Sequence, residues 1–307
     1  SSSINAMTLG GLALAIGILI DQSIVVLEKQ HVAAGPTARS GAMIRPLFSH
    51  AVYIQLVMEA TTMFEHWQDC VGGDAGFVQH GFFRITDSLE LDRLGGDLEL
   101  MTQFGVPYEI TSQDELSTYA PTSEFCGNEM GLLLPQGGYA DPVRTTVSLA
   151  AAAVRLGVEL VEGVRVTGIE VAGGRVQAVE TDAGRIATGV VINCAGSWCD
   201  RVASMVGVSL PIEIHRTPTG LFRMPESLQA AGPILSDGVN QVYMRMDDQT
   251  VRVAHFGWTP DLVDPDDFDE TISRSQHDGL RTLVERRCEG MRATPAAGGF
   301  SAVYDMT

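Results

Sequence analysis

The 307-residue sequence predicts a mixed α/β fold, and three kinds of segment support that prediction. A short β-branched run at 23–28, SIVVLE, is typical of a buried parallel strand. A helix is predicted over 142–157. Asp141 suits its N-cap, Pro142 its first turn, and Gly157 its left-handed end. Alternating apolar runs follow and indicate antiparallel strands. This order favours an α/β lobe with an inserted β-meander.

Earlier in the chain, apolar residues at helical spacing predict helices over 52–67 and 89–104. The segment GFFRIT between them has the character of a strand, and the Gly/Pro/Ser-rich stretch at 33–43 that of a loop. The meander strands are predicted at 158–171, 175–182 and 185–196. The chain is then β-rich over 207–259, returns to helix over 273–291, and starts a last strand near its end.

Composition limits the partners and the kind of site. A hydrophobic content of 45% is enough for two lobes. The net charge of -18 argues against nucleic acid as a partner. The acidic run at 261–270, DLVDPDDFDE, has two interpretations, a cation site or a solvated loop. We favour the loop because the run lacks EF-hand spacing.

The cysteines and histidines indicate the compartment and exclude one class of chemistry. The five cysteines form no CxxC pair, which indicates free, mostly structural thiols in a reducing compartment, and hence a cytoplasmic location. The seven histidines form no HExxH motif, so the sequence gives no support for a catalytic metal.

Three separated segments carry a family resemblance, in the order that the family has them. They are VVLEKQHVAAGPTARSGAMIR at 25–45, the meander and its return ending in NCAGSW at 193–198, and GGFSAVYDMT at 298–307. Over about residues 24–307 the chain resembles the FAD-dependent oxidoreductases of the D-amino-acid oxidase and sarcosine oxidase type.

The resemblance implies a division of the chain. An incomplete Rossmann-like FAD-binding lobe with a β-meander takes residues 24–75 and 135–206. A substrate lobe built on an antiparallel sheet takes 76–134 and 207–300. Residues 301–307 then start a C-terminal FAD-binding segment that is cut short.

The resemblance also implies the cofactor, FAD, and its contacts. Glu28, which on its own also fits a solvated strand end, corresponds to the ribose ligand, because a carboxylate can accept from both ribose hydroxyls. The remaining positions fall on three segments: a loop that runs beside the pyrophosphate and the flavin ring, a strand whose backbone meets the adenine, and a turn over the pyrophosphate. The implied cofactor-binding set is Glu28, Lys29, Arg39, Ser40, Gly41, Ala42, Val166, Ala195, Gly196 and Trp198.

Three residues are candidates for the substrate side of the flavin. Arg45 resembles an arginine that meets the substrate carboxylate, although a surface salt bridge explains it equally well. Tyr243 and Arg252 lie on strands that cover the flavin face in the family, as does Arg245. His255 suits a base, but a packed strand histidine is the favoured interpretation. The implied reaction oxidises a C–N bond of a small amine or amino acid of the sarcosine, glycine or D-amino-acid type by hydride transfer to flavin.

The first residues depart from the family. No GxGxxG motif precedes the ribose acid, and residues 4–28 resemble a transmembrane helix of resistance-nodulation-division efflux pumps, with Asp21 at the proton-relay position. We therefore expect an apolar helix over 1–23 that is foreign to the family, and a chimeric chain. Two alternatives to the enzyme follow: an inactive fragment without flavin, or a protein tethered to the inner membrane through 7–27.

Overall fold

The computed structural model describes residues 24–120, 123–226, 228, 232–247, 249–256 and 261–306. The predicted foreign helix over 1–23, with Asp21 and most of the predicted membrane tether, lies outside these residues. Within the part of the chain that is described, no helix combines the length and apolarity needed to cross a bilayer.

The strands are distributed over four sheets. In chain order they are β1 (Val25–Glu28), β2 (Met43–Ile44), β3 (Phe82–Thr86), β4 (Glu109–Thr111), β5 (Met130–Leu134), β6 (Gly138–Tyr139), β7 (Glu159–Glu162), β8 (Val166–Ala172), β9 (Arg175–Thr181), β10 (Gly184–Ala187), β11 (Glu213–Arg223), β12 (Ile234–Asp237), β13 (Val242–Met246), β14 (Thr250–His255) and β15 (Ala296–Met306).

The helices lie mostly between the strands of different sheets. They are α1 (Ala51–Glu65), α2 (Trp67–Cys70), α3 (Ser88–Arg93), α4 (Gly95–Gln103), α5 (Leu116–Tyr119), α6 (Pro142–Arg155), α7 (Cys199–Ser204) and α8 (Arg274–Glu285), with short 3-10 turns at Pro36–Arg39, Gln113–Glu115, Gly196–Trp198 and Glu289–Met291.

The predicted α/β class is confirmed, and helix α6 begins and ends as its sequence predicts. Asp141 Oδ1 accepts from the backbone N–H groups of Val143 and Arg144, both at 2.9 Å. Gly157 follows the helix with a φ of 95°, a conformation that costs a residue without Cβ little.

Two predicted helices are shorter or broken in the structure. The helix predicted over 89–104 is two helices, α3 and α4, which are separated at Leu94, next to the two poor helix formers Gly95 and Gly96 that begin α4. The helix predicted over 273–291 ends at Glu285, and a separate 3-10 turn follows at Glu289–Met291.

The strand segments beside the nucleotide region also divide differently from the prediction. The segment 158–171 forms two strands, β7 and β8, because the chain turns at Gly163, whose φ is 72°. The segment predicted at 185–196 is a strand only as far as Ala187. Strands β8, β9 and β10 form the expected antiparallel meander, and β1 pairs with β7 in parallel.

The largest sheet has eight strands in the order β15-β11-β14-β13-β12-β3-β5-β4. Six of its seven strand pairings are antiparallel, as predicted, but β12 pairs with β3 in parallel. The long chain segment between these two strands supplies the crossover that a parallel pair requires. Residues 301–306 lie in β15, which pairs with β11.

The two faces of this sheet differ in polarity at β13 and β14. Val242, Met244 and Met246 of β13 alternate with Tyr243 and Arg245, so the two sets face opposite sides. The apolar set joins a core that includes Val251 and Val253 of β14 and Leu280 and Val284 of α8. The other face therefore carries the polar side chains, and it is the face on which a site can form.

The five cysteines are free, but most are not structural. Cys70, Cys126 and Cys194 are exposed, and Cys288 alone among the five is buried in the core. We expected mostly structural thiols, and the structure places three of them at the surface instead.

Candidate functional site

The centre of the candidate site is the loop Ser40–Gly41–Ala42, which lies on the polar face of the large sheet. Arg252 Nη1 donates to the Ser40 carbonyl at 2.8 Å, and Arg245 Nη1 donates to the Gly41 carbonyl at 2.6 Å. Ala42 has a φ of 47°, and its N–H donates to Ser40 Oγ at 3.0 Å. The buried guanidinium of Arg245 and the partly buried guanidinium of Arg252 therefore fix the backbone of the loop from the side of the sheet.

Gly41 is needed at this point because the sheet approaches the loop closely. A Cβ at position 41 would lie 2.9 Å from the hydroxyl oxygen of Tyr243. That separation is shorter than any ordinary contact of a methyl group, so a side chain would push the loop off the sheet.

Tyr243 is buried, and its hydroxyl stays protonated. Burial raises the pKa of Tyr243 well above its ordinary value, and the neighbouring Tyr304 raises it further. A neutral phenol can donate a hydrogen bond, so Tyr243 presents a donor beside the loop across the whole physiological pH range.

Arg252 has no ion-pair partner within the described residues, and one of its hydrogen-bond donors is not used. It lies directly opposite Arg245 in the β13–β14 register. Burial lowers the pKa of Arg252, and Arg245 lowers it further. Its Nε is buried and has no hydrogen-bond partner among the described residues. Arg245, by contrast, is paired with Asp247 at 2.8 Å.

Arg45 is the second cation of the site. Its Nη1 donates to the Leu47 carbonyl at 2.7 Å, and its guanidinium lies over the rings of Phe48 and Phe82 at 5.4 and 5.3 Å. Burial lowers the pKa of Arg45 to about 10, with Arg84 adding to the effect. A buried guanidinium held by a carbonyl and aromatic faces is suited to an incoming carboxylate.

Arg84 is a further cation on the same sheet face, and the sequence interpretation missed it. It pairs in register with Ser236, which pairs with Tyr243 across the next strand. Arg84 Nη1 donates to Ser236 Oγ at 3.0 Å, and Nη2 pairs with Glu90. A lone charge within the apolar strand FFRIT is the signal that could have identified it.

A second group of candidate residues lies around β1. Glu28 ends the strand, and its Oε1 accepts from the backbone N–H of Gln30 at 3.0 Å. Lys29 Nζ lies 4.1 Å from the ring centroid of Trp198. Both Lys29 Nζ, at 2.7 Å, and Trp198 Nε1, at 3.1 Å, donate to Asp266 Oδ1.

The turn at 195–198 is built from backbone groups. Gly196 has a φ of 52°, and Trp198 N–H donates to the Ala195 carbonyl at 2.9 Å. Ser197 Oγ donates to Asp305 Oδ1 at 2.9 Å, which joins the turn to β15. Val166 begins the meander strand β8, where it pairs with Thr181.

The acidic run at 261–270 is not a simply solvated loop, so the favoured interpretation of the sequence was incomplete. Several of its carboxylates are exposed, but they form ion pairs with basic side chains of other segments. Arg39, a predicted cofactor residue, is one of these, with Nη2 2.7 Å from Glu270 Oε2. Across the described residues, no three His, Cys, Asp or Glu side chains form a group able to hold a metal ion.

The structure thus brings the predicted residues into two groups. The first joins the loop Ser40–Gly41–Ala42 to Tyr243 and Arg252. The second joins Lys29 to Trp198 through Asp266, which the sequence interpretation missed. His255 pairs with Val242 and so alternates to the face opposite Arg252, as expected for a packed strand histidine.

The first group fits a large anionic cofactor on two observations. Gly41 and Ala42 allow the loop backbone to take a compact conformation that a β-branched residue would disfavour. The buried, unpaired Arg252 Nε is a donor for which a bound group would supply the acceptor. These residues are the ones that would hold FAD beside the sheet.

Comparison with protein families gives one match, and it covers most of the chain. The model described as FAD dependent oxidoreductase, DAO, matches residues 11–306. That match begins inside the segment predicted to be foreign, so it gives no support to the predicted resemblance to an efflux-pump helix.

Two curated relatives show the extent of the similarity. Mitochondrial sarcosine dehydrogenase of Mus musculus is 27% identical over 243 residues, which are 77% of this chain and 26% of the relative. D-amino acid dehydrogenase of Rhizobium rhizogenes is 33% identical over 125 residues, which are 40% of this chain and 30% of the relative. The chain therefore spans less than a third of the length of either relative.

The fold is also found in solved structures. L-proline dehydrogenase from P. horikoshii superimposes with a TM-score of 0.84 at 19% identity, over 99% of this chain and 79% of that one. At this level of identity the likeness concerns the fold alone, an arrangement of mixed sheets and helices.

Proposed function

The chain belongs to the family of FAD-dependent oxidoreductases, and from this premise we propose that it oxidises the C–N bond of a small amine or amino acid that carries a carboxylate. The observation that carries the proposal is a pair of cations, Arg45 and Arg252, that form no ion pair within the described residues; Arg252 donates to the loop Ser40–Gly41–Ala42, and Arg45 follows the loop in the chain. Cations held in this way beside a buried tyrosine suit an anionic substrate and an anionic cofactor.

The proposed substrate class rests on charge and on the names of the relatives. Sarcosine, D-amino acids and L-proline each have an amine next to a carboxylate, and dehydrogenases for each are similar to this chain. Arg45 would bind the carboxylate with two parallel hydrogen bonds. Tyr243, neutral at ordinary pH, would donate a hydrogen bond beside the reacting centre.

The chemistry divides between cofactor and protein. FAD, when bound, accepts the hydride that leaves the carbon next to nitrogen. The protein orients the amine through Arg45 and holds the loop through Arg245 and Arg252. The apolar rings of Phe48 and Phe82 beside Arg45 keep water from that end of the site, which strengthens the ionic contact.

The division into lobes is also a proposal. We propose an FAD-binding lobe over 24–75 and 135–206 and a substrate lobe over 76–134 and 207–300. The strands of the eight-stranded sheet support it, because they fall within 82–134 and 213–306, whereas β1, β7 and the meander fall within the other lobe.

The test is anaerobic reduction of the FAD-loaded chain, followed as loss of the flavin absorption band. Sarcosine, glycine, D-alanine and L-proline are each compared with dimethylamine, which lacks a carboxylate. We expect at least one amino acid to bleach the flavin and dimethylamine to leave it oxidised. Equal bleaching by dimethylamine, or none by any amino acid of the set, would overturn the proposed substrate class.

A further inference from the structure

The acidic loop, residues 261–270, connects two segments that the proposed function places at the cofactor. Asp266 Oδ1 accepts from Lys29 Nζ at 2.7 Å and from Trp198 Nε1 at 3.1 Å. Its other oxygen, Oδ2, accepts from Arg201 Nη1 at 2.5 Å. One carboxylate therefore binds donors from the end of β1 and from the turn and helix at 196–204.

The acidic loop also binds the residue that precedes the loop Ser40–Gly41–Ala42. Glu270 Oε2 accepts from Arg39 Nη2 at 2.7 Å, one residue before Ser40. Asp264 Oδ1 accepts from Arg201 Nη2 at 2.6 Å, so Arg201 is shared between Asp264 and Asp266. The contacts thus reach Lys29 and Arg39 near the start of the described chain and the turn and helix at 196–204, all distant in sequence from the acidic loop except Arg201, which lies about 65 positions before it.

Hydrogen bonds attach the acidic loop to the large sheet, so the loop can hold the residues that it contacts at a defined position relative to that sheet. Arg216 of β11 donates through Nε to the Asp269 carbonyl at 2.8 Å and through Nη2 to the Thr271 carbonyl at 2.9 Å. The Val263 N–H donates to the Ile214 carbonyl at 3.0 Å, and the Ser301 N–H to the Glu270 carbonyl at 2.7 Å. The loop is therefore hydrogen-bonded to two strands of the large sheet, β11 and β15.

The contacts form a network of charges, which matters for their strength. Single exposed ion pairs contribute little, but shared carboxylates in a network contribute more than isolated pairs. Lys29 and Asp266 are only 28% and 40% exposed. The hydrogen bond from Lys29 lowers the pKa of Asp266, so the carboxylate is charged throughout the physiological range.

We propose that the acidic loop is a clasp that holds the adenosine end of the FAD site in place, with Asp266 as its positioning residue. The inference rests on the proposed function, because it assumes that Lys29 and Trp198 border the cofactor. Asp266 does not touch the cofactor in this account. It fixes Lys29 against the Trp198 ring, and so sets the spacing between Glu28 and the turn at 195–198.

The test compares Asp266→Asn with Asp267→Asn in the full chain. Both variants remove one negative charge from an exposed position of the same loop, but only Asp266 forms ion pairs, whereas the Asp267 side chain has none within the described residues. The readout is the rate at which FAD leaves the protein, followed by the rise of free-flavin fluorescence on dilution. We expect Asp266→Asn to speed FAD loss about tenfold, as for the loss of a charge-assisted hydrogen bond, and Asp267→Asn to leave it unchanged.

Ionic strength provides a second arm of the same experiment. High salt screens the clasp, so FAD loss from the wild-type chain should accelerate with salt, whereas Asp266→Asn should respond less. Equal rates for Asp266→Asn and Asp267→Asn, with parallel salt dependence, would overturn the inference while leaving the proposed function intact, because wild-type FAD binding is measured alongside.

A cofactor-free readout keeps the inference testable if the wild-type chain retains no FAD. Amide hydrogen exchange of residues 28–31 and 196–201 is measured in the three proteins without FAD. We expect both segments to exchange faster in Asp266→Asn than in Asp267→Asn, because both lose their common anchor. Unchanged exchange in both segments would overturn the clasp, independently of any flavin chemistry.

Discussion

Arg245 and Arg252 lie directly opposite each other on neighbouring antiparallel strands, and each donates to one carbonyl of the loop Ser40–Gly41–Ala42. Like charges opposite each other in a sheet are normally destabilising. Here Asp247 balances Arg245, while the loop carbonyl of Ser40 is the acceptor that Arg252 reaches. The contacts with Asp247 and with the loop carbonyls therefore offset the repulsion between the two arginines. The conformation of the loop is the part of the site that substitutions test most directly.

Gly41→Ala tests how closely the loop approaches the sheet. The added Cβ would lie 2.9 Å from the Tyr243 hydroxyl oxygen, so we expect a loss of about 1–3 kcal/mol in the free energy of unfolding, with loss of FAD. Chemical denaturation and gel filtration with FAD measure the two effects. Gly35→Ala is the matched control, because a Cβ at that position meets nothing within 4 Å.

The double variant Gly41→Ala with Tyr243→Phe identifies the cause. Removal of the phenol oxygen leaves the ring carbon Cζ, at 3.3 Å, as the nearest atom, so part of the lost stability should return. If the double variant is no more stable than the sum of the two single variants predicts, the clash is not the reason that position 41 is glycine.

Arg45→Lys tests carboxylate recognition. A lysine keeps the charge but cannot make two parallel hydrogen bonds, so we expect KM for a carboxylate-bearing amine to rise about 10- to 100-fold while kcat changes less. Steady-state kinetics with an artificial electron acceptor gives both constants. An unchanged KM would show that Arg45 does not bind the substrate carboxylate and serves the packing around Leu47 instead.

Glu129→Gln tests the buried ion-pair network behind the site. Arg287 binds Glu129 through Nη1 at 2.8 Å and Nη2 at 2.7 Å, and it binds Asp237 through Nε at 2.8 Å. Removing one buried charge should cost about 3–5 kcal/mol of unfolding free energy. Glu289→Gln, which breaks the exposed pair with Arg292, should cost at most about 1 kcal/mol. Similar losses in the two variants would contradict the assigned burial.

The pH dependence of the clasp follows from the lowered pKa of Asp266. The pKa of Asp266 in the folded protein lies below its ordinary value of 3.8. The stabilising contribution of the charged Asp266 carboxylate is therefore complete above pH 3.8 and is lost as the pH falls through the folded-state pKa. The ratio of FAD dissociation rates for Asp266→Asn and wild type should therefore stay constant from about pH 5 to 8 and approach one in stronger acid. A ratio that drifts within the neutral range would point to a different titrating group.

The sequence was a good guide where local rules determine the structure. The caps of α6 and the Gly/Pro/Ser-rich loop that contains Ser40–Gly41–Ala42 were predicted from short-range patterns, and the role of that loop at the cofactor came from the family resemblance. The missed features depend on long-range contacts. Lys29 and Asp266 are 237 positions apart, and no local pattern shows that a carboxylate in a run that looks solvated meets a lysine after β1.

Two errors in the secondary structure have physical causes of their own. Apolar spacing continues from Leu89 to Phe104, but it does not register the break at Leu94, next to Gly95 and Gly96, whose backbone freedom weakens a continuous helix. Strands β3 and β12 pair in parallel although a long segment of the chain separates them in sequence. The alternation of apolar and polar residues can predict each strand, but it does not identify the strand with which it pairs.

The most direct test of the account is the visible absorption spectrum of the purified chain after FAD is added and the free cofactor is removed by gel filtration. We expect a retained flavin band in the wild-type chain and in Gly35→Ala, and a weak or absent band in Gly41→Ala. A colourless wild-type chain that is nevertheless folded by circular dichroism would contradict the central claim that this arrangement of loop and arginines binds FAD.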